Sequence, residues 1–436
     1  MTNRKPGPIS ALLIAAALAG GAAAARAQSA VPPGAAPFRI DGEYGLNVKL
    51  RGDSLVVSWL TRQASPGFLQ VWTEGRLRVQ QSTPADTAHR FIFRAPGRRE
   101  LTLRYGGIGD EADQHETTFD VTRVARRRTV WPDADSIFVI SDVHGEFDRL
   151  TVVLRNAGLI DGSLRWTGGR RHLVVLGDVF DRGPDVTRTL WFLYNLEHEA
   201  GHSDGRVHVM LGNHEIMVML DDLRYVAEKE TEVARLHGTG YASLFHPRES
   251  LLGRWLASRP ALIRIGDVLF AHGGVSSDYV DWKIEQVDDT LAAYTSEELF
   301  ARWSDSTFVP PIDSAGYERR WRFFSDPRSL FWYRGYVESD TTGAELDAVL
   351  TAFRSRVMVV GHTPGPAIRE RFGGRLIAVN TLPFAAEILL MVRHGDDDWE
   401  RFRIGETGPP IPLDPDHPAH DSGGRQAPVL TGRPPR

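Results

Sequence analysis

No cysteine occurs among the 436 residues. Its absence excludes disulfide staples, thiolate metal ligands, a cysteine nucleophile and a lipidated amino-terminal cysteine, so any metal must sit on nitrogen and oxygen donors. A basic excess is missing too: the formal net charge is -5. That gives no support to a nucleic-acid polymer or an anionic membrane as partner, since both need positive charge to neutralise phosphate. No Gly-x-x-x-x-Gly-Lys motif is present to cradle a nucleoside triphosphate. What is there, 42% hydrophobic and 25% charged residues, excludes a fibrous or wholly disordered chain and leaves room for two domains or one large one. Without disulfides the fold depends on a sizeable core.

At the amino terminus, Arg4 and Lys5 precede an apolar run from Ile9 through Ala19, and Ala25-Arg26-Ala27 supplies a small-x-small cleavage pattern. This predicts an export signal over residues 1–27, cut after Ala27, and a periplasmic or secreted protein. Gly20, Gly21 and the many alanines make the run poor for stable spanning, so no membrane span is expected after cleavage. Removing Arg4, Lys5 and Arg26 takes the formal charge from -5 to -8. Residues 28–37 read as a proline- and glycine-rich linker.

From 38 to 125 the pattern is one of short alternating segments: Leu55 to Leu60, Phe68 to Trp72, Phe91 to Phe93 and Leu101 to Tyr105, separated by Gly, Pro and Asp clusters. It predicts a small all-β sandwich. The run Ser54 to Thr61, with its central tryptophan, resembles the fibronectin type III or immunoglobulin-like modules that precede the catalytic domain in some exported hydrolases. A catalytic domain is expected over 131–404. Strand and helix signals alternate there: a strand at Ile137 to Ile140, a helix at Phe147 to Ala157, a strand at His172 to Leu176, a helix at Asp185 to Glu199 and a strand at Val207 to Leu211. Stretches 221–258 and about 290–355 are helical in pattern and are expected to cap the site. A hairpin, Leu262 to Ile265 with Val268 to Ala271, leads into strands at Val357 to Val360, Leu376 to Val379 and Ile388 to Val392, expected to complete a second sheet. Residues 405–436 read as a disordered tail.

Chemistry concentrates in five short groups: Ser141-Asp142-Val143-His144-Gly145, Gly177-Asp178-Val179-Phe180-Asp181-Arg182-Gly183, Gly212-Asn213-His214-Glu215, His272-Gly273-Gly274 and Gly361-His362-Thr363. Each sets a nitrogen or oxygen donor beside glycine after an apolar run, where open α/β sheets form their sites. Asp142, His144 and Asp178 suit one cation, with Asp178 shared. Asn213, His272 and His362 complete a second. A close pair of cations activates a bridging water and holds a phosphoryl group for in-line attack. Arg182 and Arg334 are the expected phosphate clamps and Asn213 a further phosphate contact, because a guanidinium matches two phosphate oxygens. His214 is the expected general acid, with Asp181 holding its imidazole. His172, His198, His202 and His208 read as structural or exposed.

This ordered set resembles the phosphoprotein phosphatase superfamily of calcineurin-like metallophosphoesterases over about 135–395. Leu223-Arg224-Tyr225-Val226 and Trp332-Tyr333-Arg334-Gly335 resemble its Shewanella-like protein phosphatase branch. The resemblance implies a four-layer α/β/β/α sandwich, manganese, iron or zinc as the metals with manganese foremost, the same six ligands, and phosphoserine, phosphothreonine or phosphotyrosine proteins as substrates. Ser141 stands where the family usually has glycine, and Asn380 where relatives often have aspartate. Two other readings compete: a phosphoesterase acting on nucleotides or dinucleotide polyphosphates, and a non-catalytic surface-binding protein with a vestigial metal site.

Overall fold

The computed structural model describes residues 45–96, 100–109, 114–121, 128–295, 314–338, 343–395 and 398–413. The expected signal and linker, and the tail beyond 413, lie outside the described residues.

Strands β1 (Asn47–Arg51), β2 (Ser54–Thr73), β3 (Arg76–Arg94), β4 (Glu100–Gly107) and β5 (Gln114–Asp120) form one antiparallel sheet in which β2 pairs with β1, β3 and β4. The expected sandwich is corrected here: the described residues make a single five-stranded sheet, not two facing ones. Pro66 and Gly67 signal a turn in sequence. The register shifts between Leu60 and Ser65, and again between Pro66 and Phe68, let one strand run through them. Trp59 lies at the centre, fully buried, with its indole N–H donating to the Gly106 carbonyl at 3.3 Å. The sheet finds its apolar partner in the body that follows. The Trp191 indole donates to the Leu46 carbonyl at 2.9 Å, and the Asn195 amide to Thr117 Oγ1 at 3.0 Å. Buried apolar residues of both regions form one continuous cluster.

The body is built on two six-stranded sheets. One has the order β17 (Ile411–Pro412), β16 (Asp398–Gly405), β15 (Glu387–His394), β7 (Ser136–Ile140), β8 (His172–Val175), β9 (Arg206–Val209), and the other β13 (Arg369–Arg371), β14 (Leu376–Ala378), β12 (Val357–Val360), β11 (Val268–Ala271), β10 (Leu262–Ile265), β6 (Val130–Trp131). β7 (Ser136–Ile140), β8 (His172–Val175) and β9 (Arg206–Val209) are parallel, which requires crossover helices. These are Phe147–Asn156 and Val186–His202. The first helix buries Phe147, Leu150, Thr151, Val153 and Leu154, the i, i+3, i+4, i+7 stripe of an amphipathic helix. In the second sheet β10 (Leu262–Ile265) and β11 (Val268–Ala271) form the expected hairpin, and β12 (Val357–Val360) runs parallel to β11 and to β14 (Leu376–Ala378).

Period-two alternation divides each strand between two cores. Ile137, Val139, Val174, Phe270, Val359 and Ile377 share one cluster, drawn from both sheets. Their neighbours Phe138, Ile140, Leu173, Val175, Leu269 and Met358 belong to the other, with the helix residues Leu150, Val153 and Leu190.

Two expectations change. β15 (Glu387–His394) does not complete the second sheet but pairs antiparallel with β7 in the first. Its continuous apolar run fits either sheet, and long-range pairing decides. Residues 405–413, expected to belong to a disordered tail, are structured: β17 (Ile411–Pro412) pairs with β16 (Asp398–Gly405), and the Asn156 amide donates to the carbonyls of Gly405 at 2.9 Å and Gly408 at 3.0 Å. No helix of the described residues is long and apolar enough to cross a membrane.

Candidate metal centre

Six strands deliver one polar residue each to a common point just beyond their carboxyl ends: Asp142 after β7, Asp178 after β8, Asn213 after β9, His272 after β11, His362 after β12 and Asn380 after β14. The loops are laced together by backbone. Asp142 N–H donates to the Gly177 carbonyl at 3.1 Å, His144 N–H to Asp178 at 2.9 Å, and Gly361 N–H to His272 at 2.8 Å. Asp142, His144, Asp178 and His362 all have positive φ, between 47° and 59°, a region that side chains with a Cβ rarely adopt. Four strained residues in one place fit a site whose surroundings dictate its geometry. Glycine is demanded at 212, where a Cβ would overlap the Asp178 carboxylate.

Asp178 is the hub and is almost fully buried. Its Oδ2 lies 3.3 Å from His272 Nε2, 3.8 Å from His144 Nε2 and 3.9 Å from His214 Nε2, and its Oδ1 accepts the His214 backbone N–H at 3.0 Å. Burial pushes its carboxyl up, but the imidazoles of His272, His214 and His144 together hold it well below the usual range. Asp142 is driven the other way, to about 6, by burial and by the charge of Asp178. Three donors fix Asp142: Ser141 Oγ at 2.5 Å, His362 N–H at 3.0 Å and Asn380 Nδ2 at 2.7 Å. The two departures from the family pattern, Ser141 and Asn380, thus both hold a candidate ligand.

The donor atoms fit divalent cations. His144 Nδ1 faces the Phe180 carbonyl at 2.7 Å and His272 Nδ1 the Leu176 carbonyl at 2.8 Å. Each carbonyl can only accept, so both Nδ1 atoms carry the proton and both Nε2 atoms face the centre. His272 Nε2 then stands 2.9 Å from Asn213 Oδ1 and close to Asp178 Oδ2. A ring of oxygens there demands positive charge, and although burial lowers the His272 pKa, Asp178 and Asp142 raise it to about 9. Buried His362 Nε2 has no hydrogen-bond partner, while burial and the neighbouring His272 push its pKa to about 2. An unpartnered imidazole nitrogen beside an oxygen cluster that attracts cations is the arrangement a metal satisfies. Asp178, His272 and His362 offer one set of mutually close donors, and His144, Asp178 and His214 another.

At the edge of this cluster His214 Nδ1 meets Asp181 Oδ2 at 2.5 Å. Burial works against its protonation, but the bond to Asp181 and the charge of Asp178 raise its pKa above the ordinary imidazole value. The expected clamps flank the centre. Arg182 sits over the rings of Tyr225 and Phe384, at 5.4 and 5.6 Å, and its charge is felt by His144. Arg334 pairs with Glu338 at 3.2 Å, and its charge is felt by His362. Aromatic rings line the approach: Tyr225 lies 5.5 Å from His214, Phe384 4.5 Å from His144, and Trp332 5.6 Å from His362.

The six expected ligands lie together, with His214 and Asp181 beside them and Arg182 and Arg334 near enough for their charges to act on His144 and His362. Sequence reasoning missed Phe384, which has no motif around it, and Glu215. The Glu215 carboxylate accepts from the backbone N–H groups of Gly212 at 2.6 Å, Asp178 at 2.8 Å, Val179 at 2.7 Å and Phe180 at 3.3 Å. The signal was the Gly-x-x-Glu spacing at the start of the helix Asn213–Met219, a capping-box pattern.

These features define a metallophosphoesterase, and the family model for calcineurin-like phosphoesterases matches residues 136–366; the chain belongs to that family. Among curated relatives it is 27% identical over 281 residues to Shewanella-like protein phosphatase 2 of Arabidopsis thaliana, covering 54% of this chain and 68% of that one. It is 28% identical over 240 residues to Shewanella-like protein phosphatase 1 of Plasmodium berghei, covering 53% and 62%. A crystal structure of the cold-active protein-tyrosine phosphatase of a psychrophilic Shewanella species superposes with a TM-score of 0.65 at 25% identity, over 84% of this chain and 98% of that one.

Proposed function

We propose that the protein is a metal-dependent phosphoric monoester hydrolase that acts on phosphoproteins, at phosphotyrosine or at phosphoserine and phosphothreonine. The observation that carries this reading is the Asp178 carboxylate, surrounded by three imidazoles, with the His214–Asp181 pair beside it. Asp142, His144 and Asp178 would hold one divalent cation, and Asp178, Asn213, His272 and His362 a second. When bound, such cations, manganese first and iron or zinc as alternatives, supply Lewis-acid activation of the attacking water and of the phosphoryl oxygens.

The remaining work falls to side chains. Arg182 and Arg334, on either side of the centre, bind the phosphoryl oxygens, and Asn213 adds an amide contact. His214, kept protonated by Asp181, gives its Nε2 proton to the departing oxygen. Tyr225, Phe384 and Trp332 offer apolar faces to the group that carries the phosphate. The named activities of the relatives support a protein substrate. We read the catalytic body as the family's four layers, and the chain as exported to the periplasm or beyond on the strength of residues 1–27.

The test compares turnover of phosphotyrosine peptide, phosphoserine peptide and diadenosine tetraphosphate by manganese-loaded protein, with Asp178→Asn as control. Phosphopeptide turnover that falls by roughly 10³-fold or more in the control is expected, the scale set by the loss of a shared ligand in a two-metal site. Rapid turnover of the dinucleotide with idle phosphopeptides would sink the protein-phosphatase reading. No metal-dependent turnover of any of the three would leave a surface-binding role.

A further inference from the structure

The helix Val186–His202 ends in His198-Glu199-Ala200-Gly201-His202. A spacing of four sets both imidazoles on one face, a turn apart, and their ring centroids lie 4.6 Å from each other. Glu100, the first residue of β4, reaches the same point from the amino-terminal sheet, its Oε2 3.0 Å from His198 Nε2. One ligand atom from each of Glu100, His198 and His202 lies within 4.8 Å of the other two. We propose that Glu100, His198 and His202 form a further divalent-cation site of the zinc class, separate from the Asp178 centre, that fastens the amino-terminal sheet to the catalytic body.

Two imidazole nitrogens and one carboxylate oxygen make a borderline donor set that suits zinc, nickel or copper better than calcium or magnesium. Position adds to this. His202 lies in the last turn of its helix, where the unpaired carbonyls favour a cation. His198 and His202 lie 13 and 17 residues beyond Asp185, so the site stands about 20–25 Å from that end of the helix, the end beside the catalytic loops, at about 1.5 Å per residue. The side chains of Glu100 and His198 are 57% and 22% exposed, which leaves room for water at the remaining coordination positions.

The pentapeptide also has the His-Glu-x-x-His order of helical zinc sites in which the glutamate is a general base. That role is excluded here. Glu199 Oε2 accepts the Trp166 backbone N–H at 2.9 Å, and Oε1 pairs with Arg165 Nε at 3.0 Å. With its carboxylate engaged elsewhere, the site has no base beside it, and a cation there joins two parts of the chain instead of performing hydrolysis. The cross-link spans an interface already built on Trp191 with Leu46 and Asn195 with Thr117.

The test equilibrates full-length, manganese-loaded protein with zinc and compares metal content in the wild type and in His202→Ala. Any exchange at the catalytic centre is common to both and cancels. One more zinc equivalent is expected in the wild type, with a zinc-dependent rise in melting midpoint beyond that of the variant and the same kcat in the two proteins. Glu100→Gln is expected to weaken zinc binding about tenfold or more, as for loss of one of three donors. If His202→Ala fails to fold, judged from its metal-free melting midpoint, Glu100→Gln decides. An anomalous peak between the three side chains in zinc-soaked crystals would confirm the assignment. Equal zinc content in wild type and variants would overturn it and leave His198 and Glu100 as an ion pair alone.

Discussion

Buried imidazoles gather in two places in the catalytic body, and the two gatherings behave in opposite ways. In one, His172, the first residue of β8, sets its Nδ1 3.2 Å from Nε2 of His208 in β9, and the ring of Trp131 lies 4.8 Å from His208. Burial, and then the charge of Arg206, lowers His172 to about 4, while burial holds His208 well below its usual value. In the other, His272, directly after β11, is fully buried but is raised to about 9, because Asp178 and Asp142 face it. Burial alone makes an imidazole neutral and structural. A carboxylate placed on a left-handed turn beside it makes a centre that draws cations.

The sharpest way to test that contrast is His214→Asn. It keeps a polar group of similar reach but cannot give up a proton. Its kcat on substrates with poor leaving groups should fall about 10²- to 10⁴-fold while metal content stays level. Unchanged rates would remove the acid role and make the Asp181 contact merely structural.

The neutral pair makes a prediction about pH. His172 is depressed from 6.5 to about 4. The stability it contributes is complete above about pH 6.5 and is lost as pH falls toward 4, because the unfolded chain takes up a proton that the folded one refuses. Over that window the loss is at most about 3 kcal/mol, at about 1.4 kcal/mol per pH unit, and less to the extent that solvent screens the ring. Urea unfolding of wild type and His172→Gln at about pH 7.5 and about pH 4.5 reads this directly. The variant should lose less stability on acidification, and equal losses in both proteins would show that the pair takes up protons in the folded state.

The smallest expected effect concerns how Asp142 is held. Asn380→Ala removes the 2.7 Å bond to its Oδ1 and should weaken metal binding about 10- to 100-fold, as for other groups that orient ligands. Titration of metal against activity and against bound-metal content checks this. An unchanged affinity would mean that Ser141 and the His362 N–H orient Asp142 unaided.

Much of the catalytic body was legible in the chain because its signals are local. Parallel strands buried on both faces are short apolar runs, and their polar residues follow at once, so Asp142, Asp178, Asn213, His272 and His362 could be read in order. What was misread depends on pairing across long separations. The apolar run of β15 does not say which sheet it joins, and the alternating segments before Asp120 do not say whether they form two sheets or one. The docking of Trp191 on Leu46 shows why one suffices: the helix Val186–His202 covers the face that a second sheet would have covered. His198 and His202 read as an unremarkable exposed pair, because Glu100, their neighbour in space, lies far away in sequence.

Glu215 changes how inactive variants of this protein should be interpreted. It follows Asn213 and His214 without a break, yet its carboxylate accepts hydrogen bonds from four backbone amides. On the proposed function, three successive residues thus divide into a donor to the centre, a proton source and a brace for the loop that carries Asp178. A scan that records only lost activity would give all three the same label. Glu215→Gln, which retains one accepting oxygen, would separate the brace from its neighbours by loosening the 177–180 turn, seen as faster amide exchange at Asp178 and Val179, while the proton-donating pair remains intact.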